Sequence, residues 1–300
     1  MKRIYCIRSF CLVLSLLLIA IFGCSTTKYL VQKIKPDKPD LKKRVMVLPV
    51  IDREVPGSER ASQITADFVD LLRKSSHLLL YDPPKGLSWP SEIKSSRFGA
   101  VTHPELVKKA EDLGMNAIIT GVLEPTQTTT NKIGIWPFRK SCRIHEVSVV
   151  MNVVDARSKA LSLSRLESEV VSVPLDKAQG RNEEETIDQL LKEALARVVK
   201  RQALAVVTSL VEEPWTGRIL AVKNDTIKIN AGKDVGLQPG HRFEVYARGE
   251  SITAQGGGSF ELLGKKIGEI EATSIMEKHS LAVAAAKESF LAGQAIRFVP

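Results

Sequence analysis

The residue with the clearest chemistry is Cys24. It follows a start carrying Lys2, Arg3 and Arg8, then an apolar run from Phe10 to Phe22, 13 residues broken only by Ser15. Such a run is short of the ~20 residues needed to span a bilayer, so residues 1–23 read as a removable leader rather than a membrane helix. Cutting before Cys24 would put a thiol at the new N-terminus, where acyl chains can be attached. Each buried acyl methylene adds ~0.8 kcal/mol, so several chains would hold a protein at a membrane almost permanently.

The other reactive side chains form no comparable pattern. Of the four cysteines, Cys6 and Cys11 would leave with the leader, and with Cys24 acylated Cys142 would have no intrachain disulfide partner. Its neighbours Arg143 and His145 could activate a thiol, but a buried strand cysteine is the simpler reading. His77, His103, His145, His241 and His279 lack metal-ligand spacing, and neither a phosphate loop nor a nucleophile elbow is present. Glu183-Glu-Glu185 fits charge at a helix start better than an acid–base pair. Gly232 to Gly240 precedes a strand and reads as turn chemistry. No catalytic residue, metal or cofactor is therefore expected, and the chain reads as a non-enzyme.

Charge narrows the partners. The full chain carries a formal +9, and the chain from Cys24 onward +6. Lys28, Lys33, Lys35, Lys38, Lys42, Lys43 and Arg44 against Asp37 and Asp40 account for +5 of this, leaving the remainder at +1. A nucleic-acid groove needs its charge within the fold, so no nucleic-acid partner is expected. Residues 24–43, with Pro36 and Pro39 and little apolar periodicity, read as an acylated, basic, flexible tether. Its six lysines, with the adjoining Arg44, are the candidate contacts for lipid headgroups or cell-wall polymer.

The elements that follow define two domains, 44–213 and 214–300. Arg44 to Ile51 is a nearly continuous apolar run, as in a strand covered on both faces. Ala61, Ile64, Phe68, Leu71 and Leu72 make a helical stripe, His77 to Tyr81 a strand, and Asp82 to Phe98 a proline-rich loop pinned by Trp89. Thr102 and Glu105 form a capping box for a helix ending near Gly114, and Ala117 to Leu123 is the next strand. Thr126 to Lys140, Arg143 to Val154 and Leu161 to Val173 read as long strands, with a turn at 155–158. A helix from Asn182 to Pro214 should pack across the sheet. Beyond Trp215, six short runs separated by glycine turns suggest a small antiparallel barrel: 218–222, 226–230, 242–246, 266–274, 280–285 and 295–299. Gln255-Gly-Gly-Gly258 falls at a hairpin tip.

Three resemblances add to these readings. Ile21-Phe22-Gly23-Cys24 resembles the lipobox of bacterial lipoproteins, and Ser25 in place of Asp implies the outer membrane, facing the periplasm. Val45-Met-Val-Leu-Pro-Val50, the helix at 61–72 and Ala110 to Gly121 resemble the family of the TolB N-terminal domain and the curli secretion protein CsgG. Thr216 to Asn230, Gly232 to Gly240, Phe243 to Tyr246 and Lys265 to Thr273 resemble the C-terminal domain of flagellar assembly protein T. Together they imply an α+β chain: a TolB-N/CsgG-like α/β sandwich followed by a small SH3-like β-barrel. The function they imply is a periplasmic scaffold or assembly factor, most specifically a flagellar basal-body or motor accessory. A CsgG-like secretion adaptor and a lipoprotein activator of a peptidoglycan synthase are the alternatives. Implied partners are the membrane through the lipid, envelope or flagellar proteins, and a further copy of the chain.

A CsgG-type pore needs strands with an outward apolar band, whereas Thr126 to Lys140 is rich in Thr, Asn, Lys and Arg. Its local cluster of Ile133, Ile135, Trp136 and Phe138 is a candidate protein-contact patch.

Overall fold

Buried aliphatic strands alternate with amphipathic helices through the first half of the chain. The computed structural model describes residues 41–84, 104–175, 183–253, 259–286 and 288–300. Expectations for the leader, Cys24, Lys28, Lys33, Lys35, Lys38, Trp89, Thr102, the Asn182 cap and 255–258 fall outside the described residues.

Strand β1 (Lys43–Val47) is followed by a short β2 (Ile51–Asp52), helix α1 (Glu59–Arg73), β3 (Leu78–Tyr81), helix α2 (Pro104–Asp112) and β4 (Ala117–Leu123). β1 pairs in parallel with both β3 and β4, and β2 pairs in parallel with β4. Every residue of β1 and β4 is buried, as their continuous apolar sequences require.

Helix α1 is capped by Ser58, whose Oγ accepts from the Ala61 amide at 3.1 Å and donates to Asp52 Oδ2 at 2.6 Å. Burial opposes ionisation of Asp52, yet the hydrogen bonds from Ser58, Val55 and Glu54 hold its carboxyl below the usual range. α2 stops before Gly114, whose φ of +73° fits the left-handed position that ends a helix.

Two long strands complete the sheet. β6 (Lys140–Asp155) pairs antiparallel with β4 through residues 149–155 and with β5 (Gln127–Ile133) through residues 140–146. β7 (Leu161–Pro174) pairs with β6 over nearly its whole length. A strand has two edges, so β4 and β5 lie end to end along one edge of β6 with β7 along the other. Helices α1 and α3 (Glu183–Glu212) cover one face through Phe68, Leu72, Leu195 and Val198. α2 covers the other through Leu106, Val107 and Ala110. α3 crosses β6 and β7, as its apolar stripe indicates, and stops before Pro214.

The last part closes into an antiparallel barrel in the order β10-β11-β12-β9-β8-β13. Its strands are β8 (Thr216–Lys223), β9 (Thr226–Ile229), β10 (Arg242–Thr253), β11 (Ser259–Ile275), β12 (Ser280–Ala284) and β13 (Ala295–Val299). Trp215, Phe243 and Phe298 fill its core, with the Trp215 and Phe243 rings edge to face at 5.8 Å. β10 and β11 run beyond the barrel as a two-stranded arm, longer than the sequence runs at 242–246 and 266–274 suggest.

Sheet and barrel belong to one compact unit, Leu41–Pro300. This revises the start of the fold at 44. Leu41 is buried among barrel residues, the Lys42 amide donates to the Val235 carbonyl at 2.9 Å, and Lys43 already belongs to β1.

Candidate functional site

The polar sequence of β5 positions the candidate contact patch. β4 is buried beneath its neighbours, but β5 continues along β6 beyond β1, and all seven of its residues are exposed. The register from Gln127 opposite Glu146 to Ile133 opposite Lys140 holds it to β6. β7 supports the far edge as far as Pro174 opposite Cys142. A three-stranded extension therefore carries the β5–β6 turn away from the packed sheet.

That turn corrects the continuous strand read over Thr126 to Lys140. The strand breaks at Gly134, whose φ of +116° suits only glycine, and the Phe138 amide donates to the Ile135 carbonyl at 2.7 Å to close the turn. Ile135, Trp136 and Phe138 are 85%, 78% and 84% exposed, and Ile133 46%. Lys132, Arg139 and Lys140 are exposed beside them. Single exposed apolar residues are ordinary, but here three large neighbours share one exposed patch with a basic rim, and Trp is among the residue types most enriched at binding hot spots.

The reactive residues at the base of the extension are occupied structurally. Cys142 is a buried free cysteine on β6. His145 Nδ1 lies 3.0 Å from Thr128 Oγ1, while its Nε2 is buried with no hydrogen-bond partner among the described residues. Burial, aided by the Arg143 charge, pushes the imidazole pKa below its ordinary value. Glu184 and Glu185 sit exposed on the first turn of α3. Among the described residues, no three His, Cys, Asp or Glu side chains are grouped to hold a metal ion.

Two of the seven candidate cations, Lys43 and Arg44, are placed elsewhere than expected. Lys43 and Arg44 are only 5% and 4% exposed, so they are not free to meet lipid or cell wall. Lys43 Nζ lies 3.7 Å from Glu213, whose pKa is raised by burial and drawn back by Lys43. Arg44 reaches into the barrel: its Nε and Nη2 donate to the two Asp234 carboxylate oxygens at 2.8 Å each, and its Nη1 to the Asn230 carbonyl at 2.6 Å. Asn116 completes the clamp, accepting from the Arg44 amide at 2.8 Å and donating to the Thr216 carbonyl at 2.6 Å. Lys42 is half-buried, at the boundary.

One feature had no counterpart in the sequence reading. A cleft of about 480 Å³ opens between the barrel, its β10–β11 arm and the loops ending α2 and β6. Arg157, Arg218 and Arg248 line it with Glu111 and Glu261. These residues come from a helix end, a turn and three barrel strands, so no local spacing relates them.

No family model and no curated protein matches the chain. Among solved structures, a hypothetical protein of Chlamydia trachomatis is similar at 16% identity, covering 54% of this chain and 96% of its own, with a TM-score of 0.33. The PelC dodecamer of Paraburkholderia phytofirmans is similar at 11% identity, over 55% and 92% of the two chains, with a TM-score of 0.32. A minor lipoprotein of Acinetobacter baumannii gives 9% identity, 58% and 96% coverage and a TM-score of 0.31. Likenesses this distant fix neither a family nor an activity.

Proposed function

We propose that this chain is a non-enzymatic, outer-membrane-anchored lipoprotein of the periplasm that scaffolds or helps assemble other envelope proteins, meeting its partner through the β5–β6 tip. The observation that carries the reading is the exposed Ile135, Trp136 and Phe138 cluster, held out on a paired strand extension. Membrane anchoring rests on Cys24 and the leader before it. The basic residues between Cys24 and Leu41 would keep the anchored body near headgroups or wall polymer.

The most specific form of the proposal is a flagellar basal-body or motor accessory, because the motifs resembling the flagellar protein's C-terminal domain coincide with the barrel strands β8 to β11. A CsgG-like secretion adaptor and an activator of a peptidoglycan synthase would use the same tip with a different partner.

The test is complementation of a deletion strain by the parent chain and by Trp136→Ser/Phe138→Ser, each at matched abundance. The tip variant is expected to behave like the deletion. Full complementation would remove the tip from the function. Loss of motility with normal wall synthesis would identify the flagellar form, and intact basal bodies with normal swimming would eliminate it.

A further inference from the structure

We infer that the cleft between barrel, arm and sheet binds an extended peptide segment bearing an acidic side chain. This goes beyond the tip and rests on separate observations.

Arg157 provides the first. It lies on the turn between β6 and β7, and its Nε is shut off from solvent with no hydrogen-bond partner among the described residues. Buried donors in folded proteins are nearly always satisfied, so an unmet guanidinium nitrogen on a residue that lines the cleft calls for an acceptor entering there. Nor do the two carboxylates of the cleft neutralise it. Glu261 is engaged by Lys159 at 2.5 Å, and Glu111 lies 3.4 Å from Arg218. Among the described residues Arg248 reaches only the Ala292 carbonyl, at the 3.5 Å limit of a hydrogen bond. Arg157 and Arg248 therefore leave the cleft with positive charge in excess, in the forked form that suits an oxyanion.

A strand edge provides the second. β13 pairs with β10 only from Arg242 to Tyr246, so beyond Tyr246 the edge of β10 facing away from β11 has no strand partner among the described residues. Ala247, Arg248 and Gly249 of that stretch line the cleft. The register of β10 on β11 shifts between Tyr246, Arg248 and Ser251, and this bulged stretch brings successive residues to the cleft while its outer edge keeps amides and carbonyls for an added strand. Met115, Leu262 and Leu263 supply apolar wall for the alternate side chains. A free edge fits an extended peptide, and the arginines fit an acid on it.

The test titrates the purified full chain with N-acetylated, amidated Val-Glu-Val-Glu-Val, with its Gln counterpart and with inorganic phosphate. The Glu peptide should bind saturably and at least tenfold more tightly than the Gln peptide. Arg157→Gln should weaken it at least tenfold while leaving the melting temperature unchanged or higher, because no partner is lost. Arg248→Gln should weaken it as well, and serves as the second variant if Arg157→Gln folds poorly. Equal affinity for the Glu and Gln peptides, phosphate binding as tight as peptide, or undiminished binding by both folded arginine variants would each overturn the assignment.

The Trp136→Ser/Phe138→Ser chain should bind the Glu peptide like the parent. Sixteen residues of β6 separate tip from cleft, about 50 Å at strand rise. Loss of binding in that variant would move the peptide to the tip and overturn the proposal for the cleft.

Discussion

Replacing Arg44 by Met tests whether sheet and barrel fold as one body. The Arg44 and Asp234 side chains are 5% and 13% exposed, and the guanidinium also satisfies the carbonyls of Asn230 and Lys278. Met keeps the apolar stem but strands a buried carboxylate and two carbonyls. Breaking a buried pair from one side costs about 3–5 kcal/mol, against roughly 0–1 kcal/mol for a surface pair. At a urea dependence of roughly 3 kcal/mol per molar, the midpoint should fall by about 1–1.7 M.

Fluorescence of Trp215, buried beside Phe243, reports the barrel, and far-UV circular dichroism reports the helices. The two signals should coincide in the parent and separate in the variant, with the barrel melting first. Adding Asp234→Leu should recover most of the loss, because the stranded charge is gone. A cost below about 1 kcal/mol would refute the reasoning by placing this pair with ordinary surface pairs.

Other outcomes follow from the same contacts. Trp136→Ser and Phe138→Ser, being exposed, should change unfolding free energy by no more than about 0.5 kcal/mol in chemical denaturation, which separates loss of contact from loss of fold. The lowered pKa of His145 means that the unfolded chain binds more protons as pH falls through about 6.5, so stability should decline there and His145→Gln should flatten the decline. Glu167 and Glu169 have lowered pKa values, chiefly through hydrogen bonds from Arg165 and Arg201 respectively; their stabilisation is present above the ordinary carboxylate range and lost as pH falls through the depressed values. Arg201→Ala should therefore narrow the stability difference between neutral pH and about pH 3, measured by thermal melts. Gly232→Ala would place a methyl carbon 2.4 Å from the Glu277 carbonyl oxygen and should cost about 1–3 kcal/mol in urea unfolding.

The sequence was most legible where local pattern and burial agree. The stripe Ala61, Ile64, Phe68 and Leu72 faces the core of α1, and the six runs after Trp215 lie on the six barrel strands, because glycine turns and short β-prone runs act over a few residues. The β5–β6 turn is obscured because Ile133, Ile135, Trp136 and Phe138 are β-prone, although Gly134 and Pro137 among them both mark a break. Lys43 and Arg44 were read with the tether because charge ordinarily marks exposed chain. Asp234, the partner of Arg44, lies 190 residues away from it and becomes visible only once the barrel is closed. The cleft arginines were hidden for the same reason.

The clamp also determines how a mechanical load would be shared. Traction from a lipid at Cys24 would enter the body at Leu41 and pass into β1, which has hydrogen-bonded neighbours on both sides. Such a strand must be sheared along its length, with many bonds resisting together, whereas a terminal edge strand can be peeled one bond at a time. Arg44, Asn116 and Asp234 would carry part of that load into the barrel, making the attachment point a shared anchorage rather than a fraying end.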